Sequence, residues 1–227
     1  MNKLMVIMAG GKGTRLKPLT DTTPKPLLEL GGVPIIKRIM GSFPGTDFIV
    51  SLGHKAGQVK EYCETLPKQI EYIEEESPLG TAGALSMINS GLLNQPLFVT
   101  NCDILVNDFS LNEMMRVHLD RKCDLTIVGT AQYYDCPYGV MTVKDEIVIA
   151  LAEKPRTQFN VMAGLYLISP DVLDLIPEDR FFDMPDLIHA VMAKRGRIGH
   201  HHISSTQYID IGQLDDYRKA VEEWKRR

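Results

Sequence analysis

The sequence predicts a doubly wound α/β fold, and three observations carry the prediction. Short apolar runs rich in β-branched residues alternate with amphipathic stretches of helical length through the first ~130 residues, the rhythm of parallel strands covered on both faces by helices. A glycine-rich turn, Gly10-Gly11-Lys12-Gly13, follows the first apolar run. From Tyr138 onward the runs become closely spaced with turn residues between them, which predicts an antiparallel extension of the same sheet.

The elements follow in order. Residues 4–9 (LMVIMA) read as a buried strand, 35–42 as a helix, 47–52 (DFIVSL) as a strand and 56–66 as a helix. Residues 70–73 predict a strand, 81–90 a helix, 96–100 (PLFVT) a buried strand, 111–121 a helix and 124–130 a strand. Strands at 138–143, 146–152 and 162–168 follow, with turns at Lys144-Asp145 and Pro155-Arg156. A helix at 185–194, a strand at 197–203 and a helix at 213–225 complete the pattern, and no fixed-period repeat is visible. Two hundred and twenty-seven residues suffice for one domain burying about three quarters of its surface. Residues 1–130 read as its doubly wound core and 131–227 as a second half ending in the last helix.

Composition removes several classes of function. Lys and Arg number 25 against 29 Asp and Glu, a net charge of −4, so no overall basic field drives nucleic-acid binding. The four cysteines, Cys63, Cys102, Cys123 and Cys136, form no C-x-x-C pair, which indicates neither a zinc ribbon nor a disulfide framework and suits a reducing cytoplasm. The apolar run at 4–9 falls far short of the roughly 20 residues that span a bilayer. The expectation is a cytoplasmic protein with no membrane partner.

The chemistry concentrates in Ala9-Gly10-Gly11-Lys12-Gly13-Thr14-Arg15-Leu16. Glycines let backbone N–H groups approach phosphate oxygens, while Lys12 and Arg15 add charge. The dinucleotide fingerprint fails because Leu16 stands where its third glycine belongs, and no Gly-Lys-[Ser/Thr] run exists for a Walker A loop. A bare glycine turn often does no more than connect elements. Here Thr23-Pro24-Lys25-Pro26-Leu27 follows, and two prolines hold the Lys25 ammonium on a stiff stalk that an ordinary surface lysine does not need.

G-G-x-G-T-R-L followed by T-P-K-P-L resembles the signature of the sugar-1-phosphate nucleotidylyltransferases. The resemblance extends in order through Glu75 to Gly83 (EESPLGTAG), Asn101-Cys102-Asp103, Tyr138-Gly139, Glu153-Lys154-Pro155 and Asp210-Ile211-Gly212. It implies a Rossmann-like doubly wound mixed sheet of the nucleotide-diphospho-sugar transferase type, with an inserted sugar-binding region. It also implies transfer of a nucleotidyl group from a nucleoside triphosphate to a sugar 1-phosphate, with release of pyrophosphate. A monoester phosphate is already anionic near neutral pH, its second pKa being about 6, so no general base is required. Fixed cations, backbone amides and a metal suffice to hold two anions together.

The resemblance assigns roles residue by residue. Ala9, Gly10, Gly11, Gly13 and Thr14 wrap the triphosphate, and Arg15 and Lys25 neutralise it. Asp103, just past the strand at 96–100, and Asp210 hold Mg²⁺, which takes one or two carboxylates and fills its other positions with phosphate oxygens and water. Glu75, Gly80 and Thr81 read the base. A carboxylate at Glu75 meets the adjacent N1–H and N2–H₂ donors of guanine, whereas uracil or thymine would suit a carboxamide, so the expected nucleotide is GTP; the plain alternative for Glu75 is one of three solvated acids in a row. Tyr138 and Gly139 pack on the sugar, Glu153 accepts from its hydroxyls and Lys154 grips its phosphate, unless Lys154 is only a surface ion pair.

Two positions depart from the pattern. Cys102 stands where many relatives have glycine. Met162 stands where they have an asparagine that meets sugar hydroxyls, and a thioether makes no such hydrogen bonds. The acceptor is therefore expected to be a sugar or polyol phosphate lacking that hydroxyl, with Asn160 on the same strand face as the alternative donor. Alternative readings are cytidylyl or uridylyl transfer to another phosphorylated alcohol, and a non-catalytic nucleotide or sugar-phosphate sensor. His200-His201-His202 alternates faces on a strand, so at most two of the three share a site. Trp224, with Leu214, Tyr217 and Val221, reads as a stripe docking the last helix, and the chain is expected to be a monomer or homodimer.

Overall fold

The computed structural model describes residues 3–225. In chain order the strands and helices are β1 (Lys3–Met8), β2 (Glu29–Leu30), β3 (Val33–Pro34), α1 (Ile35–Ser42), β4 (Thr46–Leu52), α2 (Ala56–Glu64), β5 (Ile70–Glu74), α3 (Gly80–Gly83), β6 (Leu97–Asn101) and β7 (Ile104–Val106). There follow α4 (Leu111–Asp120), β8 (Leu125–Asp135), β9 (Gly139–Lys144), β10 (Ile147–Glu153), β11 (Arg156–Ile168), α5 (Pro170–Leu173), α6 (Met184–Ala193), β12 (Ile198–Ile203), β13 (Tyr208–Asp210) and α7 (Leu214–Lys225). Seven strands form one sheet in the order β12-β8-β11-β6-β1-β4-β5. It is parallel except at β11, which runs antiparallel to both β6 and β8.

Alternation along the strands divides the core in two. Met5 and Ile7 of β1 face α1, α2 and α4 with Ile35, Ile36, Ile39, Val59 and Met114. Val6 and Met8 face the opposite layer, built from Leu85, Val172, Leu187, Ile188 and Val191, as a period of two requires. α6 starts at Asp183, whose backbone N–H is accepted by Asp186, a reciprocal cap at the expected place. α7 lays Tyr217, Val221 and Trp224 on the first layer, with Arg38 over the Trp224 ring and the Tyr217 hydroxyl donating to Glu29 O at 2.7 Å. No helix among the described residues is long and apolar enough to cross a membrane.

Two expectations change. The helix expected at 81–90 is one α turn, α3, followed by 3₁₀ turns at Ala84–Met87 and Ser90–Leu92. The cause is tertiary: Gly80 has φ +86, and the Ala82 and Gly83 N–H groups both donate to Phe182 O, at 3.0 and 2.8 Å. The antiparallel extension is only partly part of the main sheet. β11 joins it, but β9 and β10 pair with each other alone. They sit on a ladder of β8 and β11 that continues from Ala131↔Asn160 to Asp135↔Arg156, past the last β6 pairing at Thr100↔Leu165. The turn between them is Asp145-Glu146, both with positive φ, the twist that tight hairpins favour.

Candidate active site

Parallel register brings the ends of β1, β4, β5 and β6 to one edge of the sheet, with Met8 level with Ser51 and Asn101. Ligands bind at this edge in open α/β sheets. A cleft of about 340 Å³ opens there, lined by Gly10, Gly11, Gly13, Thr14, Arg15, Lys25, Glu75, Gly80, Thr81, Asp103 and Gly212, together with Met8, Pro78, Asn101, Cys102 and Phe181. A second hollow beside it is lined by Lys12, Gly53, His54 and the 75–78 loop, and shares Gly10, Gly11 and Glu75 with the first.

Local contacts explain the loop. Gly13 has φ +63, and a Cβ there would meet Thr20 Cγ2 at 2.9 Å and Lys25 Cβ at 3.3 Å, so the turn rests against the stalk that carries Lys25. The Thr20 hydroxyl donates to Gly13 O at 2.9 Å. Gly53 lies against Gly10, where an added Cβ would stand 2.7 Å from Gly10 O, and His54 N–H donates to that same oxygen at 3.0 Å. Ala9 belongs to the core, with its N–H given to Ser51 O; unlike the glycines after it, it is not among the residues lining the cleft.

The floor of the cleft is an ion pair. The Lys25 ammonium donates to Asp103 Oδ2, and their side chains are only 10% and 11% exposed. Arg15 is exposed, with Nη2 3.9 Å from the same oxygen. Asp103 Oδ1 is buried without a hydrogen-bond partner among the described residues. Asp210 arrives from the far end of the chain because β13 pairs with β7, Asp210 opposite Ile104, and Ile211 N–H donates to Asp103 O at 3.0 Å. A Cβ built on Gly212 would stand 2.8 Å from Asp103 Oδ2, 2.9 Å from Asp210 Oδ1 and 3.6 Å from Arg15 Nη2. Both carboxylates and the guanidinium thus border one point that only glycine leaves open.

A buried carboxylate with one orphaned oxygen, Oδ1, and with Oδ2 facing the point that Asp210 also borders, fits a hard divalent cation that completes its shell with phosphate and water. No cluster of three or more His, Cys, Asp or Glu side chains suited to a metal occurs among the described residues; His200 and His202 share a face of β12, while the His201 ring packs on Phe109. Burial pushes the Cys102 thiol up to about 11, opposed by the nearby Lys25, so at neutral pH it is a protonated wall of the cleft and no nucleophile.

Glu75 is more than a solvated acid. Its Oε1 accepts from Ser51 Oγ at 2.6 Å and its Oε2 from Leu79 N–H at 2.9 Å, which clasps the 75–79 loop against the sheet. A carboxylate with two such bonds keeps further lone pairs for a base edge. Thr81 lines the cleft, yet its hydroxyl donates to Asp183 Oδ1 at 3.1 Å and accepts from Met184 N–H at 2.9 Å, tying this loop to the start of α6. Of the residues expected on the sugar side, none of Tyr138, Gly139, Glu153, Lys154 and Met162 lines the cleft. Tyr138 and Met162 are exposed by 74% and 46%, and the other three are exposed as well. Sequence reasoning gave no site role to Gly53, Asn101, Phe181 or Asp183. For Gly53 a signal existed, since it ends the run at 47–52 as Gly10 ends the run at 4–9; Asp183 offered none.

The family model described as nucleotidyl transferase matches residues 4–227. Mannose-1-phosphate guanyltransferase of Pichia angusta is 30% identical over 231 residues, covering 95% of this chain and 62% of that protein. Mannose-1-phosphate guanylyltransferase of Mycobacterium tuberculosis is 30% identical over 227 residues, covering 93% and 62%. The chain therefore spans about three fifths of the length of these curated relatives. HddC from Yersinia pseudotuberculosis superposes with a TM-score of 0.74 at 27% identity, covering 99% of this chain and 100% of that one. Its crystal structure complexed with GMP-PN superposes equally, with the same coverage of both chains, at 28% identity.

Proposed function

Since the chain belongs to the nucleotidyl transferase family, we propose that it transfers a nucleotidyl group, GMP by preference, from a nucleoside triphosphate to a sugar 1-phosphate. One observation carries this reading: Arg15, Asp103 and Asp210 border a single point at Gly212, and Lys25 is ion-paired to Asp103 there. In the reaction, an acceptor phosphate oxygen forms a bond to the α-phosphorus while the bond from that phosphorus to the bridging oxygen breaks, and pyrophosphate leaves. The acceptor arrives as an anion, so no residue has to remove a proton.

The Gly10, Gly11 and Gly13 backbone cradles the triphosphate, with Arg15 closing over it from the exposed side. Lys25 is withdrawn from water, where a fixed charge acts more strongly on developing negative charge. Asp103 and Asp210 would hold Mg²⁺, and the bound ion would draw charge from the α-phosphate during displacement. The 75–80 loop faces the hollow that includes Gly53 and His54, where the base would lie with Glu75 at its edge. Support for guanine comes from the carboxylate at Glu75, from the names of the mannose-1-phosphate guanylyltransferase relatives and from the GMP-PN complex of HddC. Residues 1–130 would serve the nucleotide and 131–227 the acceptor.

Pyrophosphate release tests the proposal. Purified protein with Mg²⁺ should turn over GTP faster than UTP, dTTP, CTP or ATP across a panel of hexose, heptose and polyol phosphates. Faster turnover with UTP or dTTP would overturn the base assignment. Nucleotide binding with no pyrophosphate from any pair would make the chain a sensor instead.

A further inference from the structure

Charge is not spread evenly over this chain, whose net value is −4. The segments 116–124 and 192–197, where α4 and α6 end and turn back to the sheet, hold six cations, Arg116, Arg121, Lys122, Lys194, Arg195 and Arg197, against two carboxylates, Asp120 and Asp124. The fold makes them one patch. β8 and β12 are parallel neighbours that start side by side, with Leu125 level with Ile198, and three bonds stitch the turns before them together. Asp124 N–H donates to Arg197 O at 2.8 Å, Arg197 N–H to Asp124 Oδ2 at 2.6 Å, and Arg197 Nη1 to Arg121 O at 2.8 Å. Asp120 is taken by Arg116 at 3.1 Å. The other five cations are exposed and make no ion pair among the described residues.

Both turns are built alike. The Lys122 and Cys123 N–H groups donate to Leu119 O and His118 O, and the Arg195 and Gly196 N–H groups to Met192 O and Val191 O. This cap sets a left-handed residue just past the helix, a place that glycine fills with no steric penalty. Here Lys122 at φ 50 and Arg195 at φ 57 fill it, so charge stands where the backbone favours glycine. The helix ends account for only part of that charge, since each C-terminus carries about half a negative charge and one cation apiece would answer it. Beside the cations, Leu119 and Met192 hold equivalent positions in the two caps and are exposed by 55% and 57%.

We propose that this edge of the molecule docks on an anionic lipid surface. Such a surface attracts clustered Lys and Arg side chains and also rewards aliphatic ones that reach the acyl boundary. A single-stranded nucleic acid would reward stacking rings instead, and neither segment contains Phe, Tyr or Trp. The short apolar run at 4–9 argued only against a spanning segment, which docking does not need. β11 is antiparallel to both β6 and β8, so β8 runs with β6 and starts at the edge of the sheet opposite the cleft. A docked molecule therefore keeps its cleft turned to solution, and the inference stands apart from the reaction proposed above.

Vesicle sedimentation tests it. The whole chain should pellet with vesicles of roughly 70% phosphatidylcholine and 30% phosphatidylserine and not with phosphatidylcholine alone. Raising the salt from about 0.1 M to about 0.5 M shortens the screening length and should release most of it. Each basic residue near such a surface tightens binding about fivefold, so Lys122→Gly/Arg195→Gly should bind about 25-fold more weakly. Glycine suits both left-handed positions, and the double variant should melt no lower than the wild type, which separates lost charge from a lost fold. Leu119→Ser/Met192→Ser should also bind more weakly, with the salt dependence unchanged. No pelleting with the serine lipid, equal pelleting with phosphatidylcholine alone, or undiminished binding by Lys122→Gly/Arg195→Gly overturns the proposal. Duplex DNA or RNA bound more tightly than the vesicles at the same salt overturns the choice of lipid.

Discussion

Replacing Gly212 by alanine inserts one methyl group between the two carboxylates. Its Cβ would stand 2.8 Å from Asp103 Oδ2 and 2.9 Å from Asp210 Oδ1, when carbon and oxygen approach no closer than about 3.3 Å without repulsion. Asp103 has little room to retreat, since its side chain is 11% exposed and ion-paired to Lys25. Asp210 is exposed and yields first, giving up the 2.7 Å bond that its Oδ1 accepts from the residue 212 N–H. One such bond is worth about 0.5–1.5 kcal/mol, a fall of only some 1–6 °C in melting temperature for a chain of this size. Chemistry should suffer far more, because a misplacement of about 1 Å at a positioned group costs ~100-fold. Pyrophosphate release and a thermal melt on the same sample measure the two effects. Turnover within threefold of wild type would refute a two-carboxylate site at this point, and a melt lowered by more than ~10 °C would refute the claim that the strain stays local.

Three further outcomes follow. Lys25→Met leaves the Asp103 carboxylate buried without its ammonium, so urea unfolding should show a loss of about 3–5 kcal/mol, largely restored in Lys25→Met/Asp103→Asn; a single variant within 1 kcal/mol of wild type contradicts the buried pair. Asp183→Ala frees the Thr81 N–H and hydroxyl and should raise the nucleotide KM about fivefold with little change in kcat, whereas an unchanged KM would detach this loop from nucleotide binding. Burial lowers the His118 imidazole below its ordinary value of 6.5, with its ring nitrogens against Thr126 Oγ1 and Ser169 Oγ. The unfolded chain then binds a proton that the folded chain refuses, so stability holds above pH ~6.5 and declines as the pH falls below it. Unfolding midpoints at pH 7.5 and 5.5 should show the decline, and His118→Gln should flatten it; a midpoint that rises on acidification would reverse the argument.

What could be read from the sequence was local. The helix at 35–42 matches residue for residue because Ile35, Ile36, Ile39 and Met40 all fall on its buried face. The helix at 81–90 misled because the groups that capture its backbone, Phe182 O and Asp183, lie about a hundred residues away. Strand character at 139–153 was plain, but whether those strands join the main sheet depends on pairings that alternation does not encode. In the site, Arg15, Lys25 and Asp103 were legible from glycine and proline geometry and from a carboxylate at a strand end. Asp210 needed the resemblance, because the β7–β13 pairing that brings it in is three residues long. The glycine turn was read as a phosphate cradle; Gly53, just past β4, carried the same strand-end signal, but its press on Gly10 is a tertiary contact that the sequence does not spell out.

The three-residue ladder between Ile104–Val106 and Tyr208–Asp210 has a consequence for biosynthesis. Asp103 emerges from the ribosome about a hundred residues before its companion carboxylate, Asp210. A nascent polypeptide can shape the glycine turn early, yet it cannot offer both acids until residue 210 has left the exit tunnel. Premature termination anywhere upstream of residue 210 therefore yields a product without the pair.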